Sequence, residues 1–143
     1  MAAKREISGH VIVCGYGVVG QKVTDVLLER GIRFIVIDMD PKKIELMRQL
    51  GMDAIEGDAT HSRVLKEAYV DTARAIAIVL DDDAKNLFSV LTARDMNKKI
   101  FITARANDEF VREKLIEAGA DYVVMPQKVA SKEILKELTK GSA

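Results

Sequence analysis

The stretch His10-Val11-Ile12-Val13-Cys14-Gly15-Tyr16-Gly17-Val18-Val19-Gly20 constrains this chain more than any other. Four apolar residues in a row read as a buried strand, the glycines at G-x-G-x-x-G spacing as a tight turn, and the residues after Gly17 as the first turn of a helix. A second apolar run, 34–37, is closed by Asp38, 18 positions after Gly20. Strand, glycine turn, helix, strand and acid, in that order, form the pattern with which a βαβ unit holds a dinucleotide. Gly15, Gly17 and Gly20 let the backbone approach a pyrophosphate, whose charge is met by free N–H groups at the helix start, among them those of Val18 and Val19. Asp38 accepts hydrogen bonds from the adenosine ribose. The competing reading is a glycine turn kept only for close helix–strand packing.

The rest of the chain repeats this alternation. Strands are expected at 11–14, 34–37, 53–56, 74–80, 100–104 and 122–125, the last halted by Pro126. Helices are expected at 18–30, 41–50, 60–69, 82–96, 108–118 and 131–140. Asp40 and Pro41 supply an N-cap and an N1 proline, and Gly31, Gly51 and Gly119 follow helix ends. Leu50 is expected on the buried face of the second helix, Leu91 on that of the fourth, and Ile134, Leu135 and Leu138 form the apolar face of the sixth. The pattern predicts an α/β domain over 9–140, with 1–8 and 141–143 as tails. Its expected architecture is Rossmann-like: a doubly wound parallel six-stranded sheet in the order 3-2-1-4-5-6, with helices on both faces. A ligand then belongs over the carboxyl ends of strands 1, 2 and 4, where the order reverses.

Bulk properties narrow the class. Lys+Arg and Asp+Glu both number 22 and no basic stripe occurs, which argues against a nucleic-acid partner. One cysteine excludes an internal disulfide and suits a reducing cytosol. The polar lead through Lys4, Arg5 and Glu6 does not resemble a signal peptide. No apolar run approaches the ~18–20 residues that span a bilayer, so no direct membrane insertion is expected.

The strand ends supply the remaining site candidates. Tyr16 either covers phosphates or is a tolerated loop side chain, and Cys14 is a small packing residue with no basic partner to activate it. Met39 follows Asp38, and the nearby Asp40 disfavours a 2′-phosphate. In Gly57-Asp58-Ala59-Thr60, Asp58 either meets an adenine amino group or caps the next helix. Asp81-Asp82-Asp83 reads as a helix cap or as part of a metal site. Arg105, at the end of an interior strand, needs an anion: a phosphate, or a carboxylate of 81–83. His10 lies at the wrong end of its strand for chemistry, and His61 lies away from the nicotinamide half. No Ser/His/Asp, Cys/His or zinc spacing occurs, so a binding module is expected rather than an enzyme.

Taken together, Val11–Gly20, Val36-Ile37-Asp38-Met39-Asp40-Pro41, Gly57-Asp58-Ala59-Thr60, Ala75-Ile76-Ala77-Ile78, Ala118-Gly119-Ala120-Asp121 and Met125-Pro126 resemble the RCK/KTN family, also called TrkA-N domains. The resemblance implies a cytoplasmic ligand-sensing domain of a potassium channel or potassium transporter. It implies a homo-oligomer (a dimer, possibly an octameric ring) in which the helices after strands 4 and 5 meet neighbours and the last helix crosses to a partner. It also implies NAD, NADH, ATP, ADP or AMP, or a divalent cation, as the signal. Carried over by position, Gly15, Gly17 and Gly20 would hold the pyrophosphate, with Tyr16, Val18 and Val19 in the same turn. Asp38 would hold the ribose, Asp58 the adenine edge and Arg105 a phosphate, with Met39, Ala59 and Asp81 counted in the same cofactor site. Arg105 and Ala106 stand where calcium-gated members carry acids, so no metal is expected there. The smaller C-terminal lobe common in the family has no counterpart in the sequence, and the polar lead 5–10 suits a linker from a pore helix. Rival readings are the regulatory domain of a cation–proton exchanger, an NAD-dependent oxidoreductase fragment, and an assembly module with an empty pocket.

Overall fold

Side chains on alternating positions of the same strands enter two separate cores. Residues 6–141 are described by the computed structural model. The elements run β1 (Val11–Cys14), α1 (Val18–Glu29), β2 (Phe34–Asp38), α2 (Pro41–Gln49), β3 (Ala54–Glu56), α3 (Ser62–Glu67), β4 (Ala75–Ile78), α4 (Asp83–Met96), β5 (Phe101–Arg105), α5 (Glu109–Ala118), β6 (Tyr122–Val124) and α6 (Pro126–Leu138). The six strands form one parallel sheet in the order β3-β2-β1-β4-β5-β6.

Ile12, Cys14, Ile35, Ile37, Ile76, Ile78, Ile102 and Ala104 point to one face, where Val64 and Leu65 of α3, Val90 and Ala93 of α4 and Leu115 of α5 cover them. Val11, Val13, Phe34 and Val36 point to the other, against Ile44 and Met47 of α2 and Val19, Val23 and Leu27 of α1. Full burial of each large aliphatic side chain contributes about 1.5–3 kcal/mol. These paired cores explain why the continuous apolar runs are strands covered on both sides.

The second face is covered over β1–β3 and reaches Ala75 and Ala77 of β4. Over β5 and β6 it presents Phe101, 51% exposed, and Tyr122, 61% exposed. The sixth helix differs from expectation. It starts at Pro126, not near 131, because proline at N1 lacks only an N–H that the first turn does not use. It buries none of its residues, and Ile134, Leu135 and Leu138 face outward. Leu50 and Leu91 are also exposed, since the sheet side of α2 and α4 is already filled by Met47 and by Val90 and Ala93. At the start of the described chain, Ile7 is buried and its carbonyl accepts from Thr72 Oγ1, so the expected tail over 1–8 is packed at this point. Residues 1–5 and 142–143 lie outside the described residues.

Candidate functional site

A cleft of about 550 Å³ opens over the carboxyl ends of β1, β2 and β4, a volume in the range of small-molecule sites. The turn after β1 forms its floor. Gly15 adopts φ +103°, and a Cβ there would meet the Val79 carbonyl at 3.2 Å. A Cβ on Gly20 would lie 1.8 Å from the Gly15 carbonyl oxygen, so only glycine lets α1 start this close to the strand. A Cβ on Gly17 would meet nothing within 4 Å. Gly17 is the N-cap of α1 yet offers no capping side chain, and the first turn of α1 has no acid. The helix start therefore presents donors and a positive dipole end that the protein does not neutralise.

Asp38 stands beside this turn. Its Oδ2 accepts from the Tyr16 N–H and its Oδ1 from the Asp40 N–H, each at 2.8 Å. These bonds fix the carboxylate and leave each oxygen a further lone pair for a hydroxyl donor. Asp58 does not cap α3, whose N-cap is His61 with no side-chain cap bond; it closes the turn that precedes the helix. Its Oδ1 accepts from both the Thr60 N–H, at 2.9 Å, and the Thr60 hydroxyl, at 2.7 Å. The two bonds hold its carboxyl below the usual carboxylate range; burial opposes them, and His61 and Lys85 add attraction. Cys14 lies fully buried under the turn, its thiol pushed up to about 12 by burial, which makes it an inert packing group.

The three acids after β4 separate. Asp82 caps α4 through the Lys85 N–H, Asp83 accepts from the Asn107 N–H, and Asp81 lines the cleft. None of them pairs with Arg105, so that expected alternative is not realised: among the described residues Arg105 has no carboxylate partner. Its Nη2 reaches only Asn107 Oδ1, at 3.4 Å, and its buried Nε has no acceptor. A guanidinium in the cleft wall with an unused buried donor calls for an anion.

Of the residues nominated from sequence, the cleft brings together Gly15, Tyr16, Gly17, Val18, Asp38, Met39, Asp58, Ala59, Asp81 and Arg105. Val19 and Gly20 lie outside its wall: Val19 packs toward the second core and Gly20 against Gly15. Sequence reasoning missed Lys43 and Lys85, which also line the cleft. Lys85 reaches across the mouth to Met39, with Nζ 3.3 Å from the sulfur. The signal for both was helical: each falls in the first turn of a helix whose start faces the cleft.

The TrkA-N domain model matches residues 11–126. The chain belongs to the TrkA-N family. Among relatives of this TrkA-N domain, potassium channel protein 1 of Methanocaldococcus jannaschii is 36% identical over 134 residues, 92% of this chain and 40% of that protein. The voltage-gated potassium channel Kch of Escherichia coli is 34% identical over 136 residues, 92% of this chain and 32% of that protein. The chain thus spans less than half the length of either. Among solved structures, the TrkA-N domain of the inner membrane protein YbaL from Escherichia coli aligns with TM-score 0.90 and 27% identity, covering 94% of this chain and 99% of that one. The GsuK channel bound to NAD aligns with TM-score 0.77 and 27% identity, over 85% of this chain and 22% of that one. The Kef C-terminal domain of Shewanella denitrificans in its AMP-bound form aligns with TM-score 0.77 and 25% identity, over 93% of this chain and 82% of that one. Among the described residues, no helix is long and apolar enough to cross a membrane.

Proposed function

We propose that this TrkA-N domain is a cytoplasmic nucleotide sensor that regulates a potassium channel or potassium uptake system, with NAD(H) or an adenine nucleotide (ATP, ADP or AMP) as its signal. The observation that carries the reading is the pairing of an uncapped α1 start with a fixed Asp38, across a cleft from an unpaired Arg105. The helix start takes the first phosphates, Asp38 the ribose, and Arg105 an anion further along. The NAD-bound GsuK channel and the AMP-bound Kef domain support both kinds of ligand. A relative named as a K(+) efflux antiporter of Arabidopsis thaliana keeps a cation–proton exchanger as the alternative host. Binding without turnover is the reading because the fixed Asp38 carboxylate and the free donors of the α1 start and Arg105 are groups that hold a nucleotide.

Ligand acts by shifting a population. Coupling to the pore requires that the nucleotide bind one arrangement of the assembled domains more tightly than another; equal binding would shift nothing. A second copy of the chain fits the surfaces left open. α6 presents Val129, Ile134, Leu135 and Leu138, each more than half exposed. A largely apolar groove on α1 is lined by Val18, Val23, Val26, Leu27 and Ile32. Leu135→Glu is expected to convert an oligomer to monomers in light-scattering chromatography.

The deciding experiment is calorimetric titration of the purified protein with NAD, NADH, ATP, ADP and AMP, repeated with Asp38→Ala. Binding of at least one nucleotide, weakened about tenfold or more by the substitution, is expected, since a lost charge-assisted bond is worth about 1.5–3 kcal/mol. Unchanged affinity in the variant removes the ribose role, and silence with every nucleotide favours the assembly module.

A further inference from the structure

We propose that Asn86 is a positioning residue for the nucleotide site, holding the ends of β4 and β5 apart at the distance that aims Arg105 into the cleft. The proposal rests on the reading that the cleft binds an adenine nucleotide whose phosphates meet Arg105.

Asn86 sits in the second turn of α4 and is fully buried. Its side-chain amide makes three hydrogen bonds, all to backbone. Nδ2 donates to the Leu80 carbonyl at 2.8 Å and to the Arg105 carbonyl at 3.0 Å, while Oδ1 accepts from the Leu80 N–H at 3.0 Å. Both amide hydrogens are therefore used, which leaves no competing partner to swing the group away.

The place of these bonds gives them their meaning. The last paired residues of β4 and β5 are Ile78 and Ala104. One step beyond, Arg105 pairs with Val124 of β6 on its other side, and β4 has ended. Among the described residues Leu80 and Arg105, both in the cleft wall, are joined to each other only through Asn86, while further out Asn107 bridges to the Asp81 carbonyl at 3.4 Å and to Asp83 Oδ1 at 3.1 Å. The Asn86 amide supplies the missing rung from the side, by a helix rather than a strand. Two strands that stayed zipped here would close the cleft, and two that separated freely would let Arg105 drift. A buried amide that bridges both keeps the cleft open at a fixed width.

The same residue links the site to α4. Lys85, its neighbour, reaches over the cleft mouth, and Phe88, two residues on, is 56% exposed on the helix's outer side. A change in the spacing of Leu80 and Arg105 must be felt by α4, because Asn86 is fixed to both.

The test is a double-mutant cycle on the full chain, with ADP as the phosphorylated probe and adenosine as the probe without phosphates. Asn86→Ala and Arg105→Ala are each expected to weaken ADP binding about tenfold. The double variant is expected to be no weaker than either single, because one residue acts through the other. Adenosine binding is expected to stay within twofold in all three. A purely structural Asn86 would instead lower both probes together. Additive losses for ADP, or an equal fall for adenosine, overturn the proposal while leaving the nucleotide reading intact. Absence of ADP binding by the unaltered protein overturns the reading and the proposal together.

Hydrogen exchange on the unaltered protein gives a second answer that depends on no variant. Saturating ADP is expected to slow exchange at the Leu80 N–H, which bonds to the Asn86 side chain, along with Val18 and Val19. Protection of Val18 and Val19 with Leu80 unchanged overturns the proposal.

Discussion

The two ends of the sheet each hold an arginine, and the two are treated in opposite ways. At the amino ends of β5 and β6, Arg94 of α4 donates to the carbonyls of Gly119, Asn97, Lys98 and Ile100 and to Asp121 Oδ2, at 2.8–3.3 Å. Asp121 in turn accepts from the Ile102 N–H, and Asn97 binds the Val70 carbonyl and the Ile100 N–H. Every part of that guanidinium has an acceptor. At the carboxyl ends, Arg105 has one long contact and a buried Nε with none. The same side chain thus serves as a staple at one end of the sheet and keeps unspent donors at the other. A protein that must bind something keeps donors unspent where the ligand goes, and that choice costs stability.

Stability measurements can break this comparison. Arg94→Ala should show the largest effect, a loss of about 3 kcal/mol, because it strands several backbone carbonyls and Asp121 at once. Urea unfolding measures it, and the ADP affinity of the folded variant should match that of the unaltered protein. A loss under about 1 kcal/mol would mean that the contacts at this end are ornamental. Arg105→Ala should go the other way. Removing a donor that has no partner should leave the unfolding free energy unchanged or raise it by up to about 1 kcal/mol, while binding falls. If Arg105→Ala destabilises as much as Arg94→Ala, the two ends do not differ and the argument for an anion at Arg105 is lost.

The sheet and its order were legible because each strand carries a run of apolar residues and each helix a start or stop signal that works locally. The glycine turn, Asp38 and Arg105 were legible for the same reason, since their positions at strand ends follow from the strands. The misses are residues whose role is set by what faces them across the fold. Asn86 looked like one more polar residue in a helix, although it shares a face with Val90 and Ala93; its partners, Leu80 and Arg105, are 6 and 19 positions away. Arg94 was invisible for the same reason, with Gly119 and Asp121 25 and 27 positions distant. The start of α6 was missed because Pro126 reads equally as the stop of a strand and the first residue of a helix. The exposed apolar face of α6 follows no rule of burial within one chain.

The smallest expected effect sharpens the comparison on its acidic side. Asp58, in the cleft wall, has its carboxyl held below the ordinary range chiefly by the Thr60 N–H and hydroxyl. A group whose folded value is depressed stabilises the fold at pH above its unfolded value, about 3.9 for aspartate, and loses that contribution as pH falls through the folded value. Asp58→Asn keeps an acceptor for Thr60 but cannot ionise. It should therefore cost about 0.5 kcal/mol near neutrality, and the gap between the two proteins should shrink as pH drops below about 4. Urea midpoints taken from pH 7 down to pH 3 would show it. A gap that holds constant through this range would mean that Asp58 contributes by shape alone, and that the ionised carboxylate at the cleft is held for the ligand rather than for the fold.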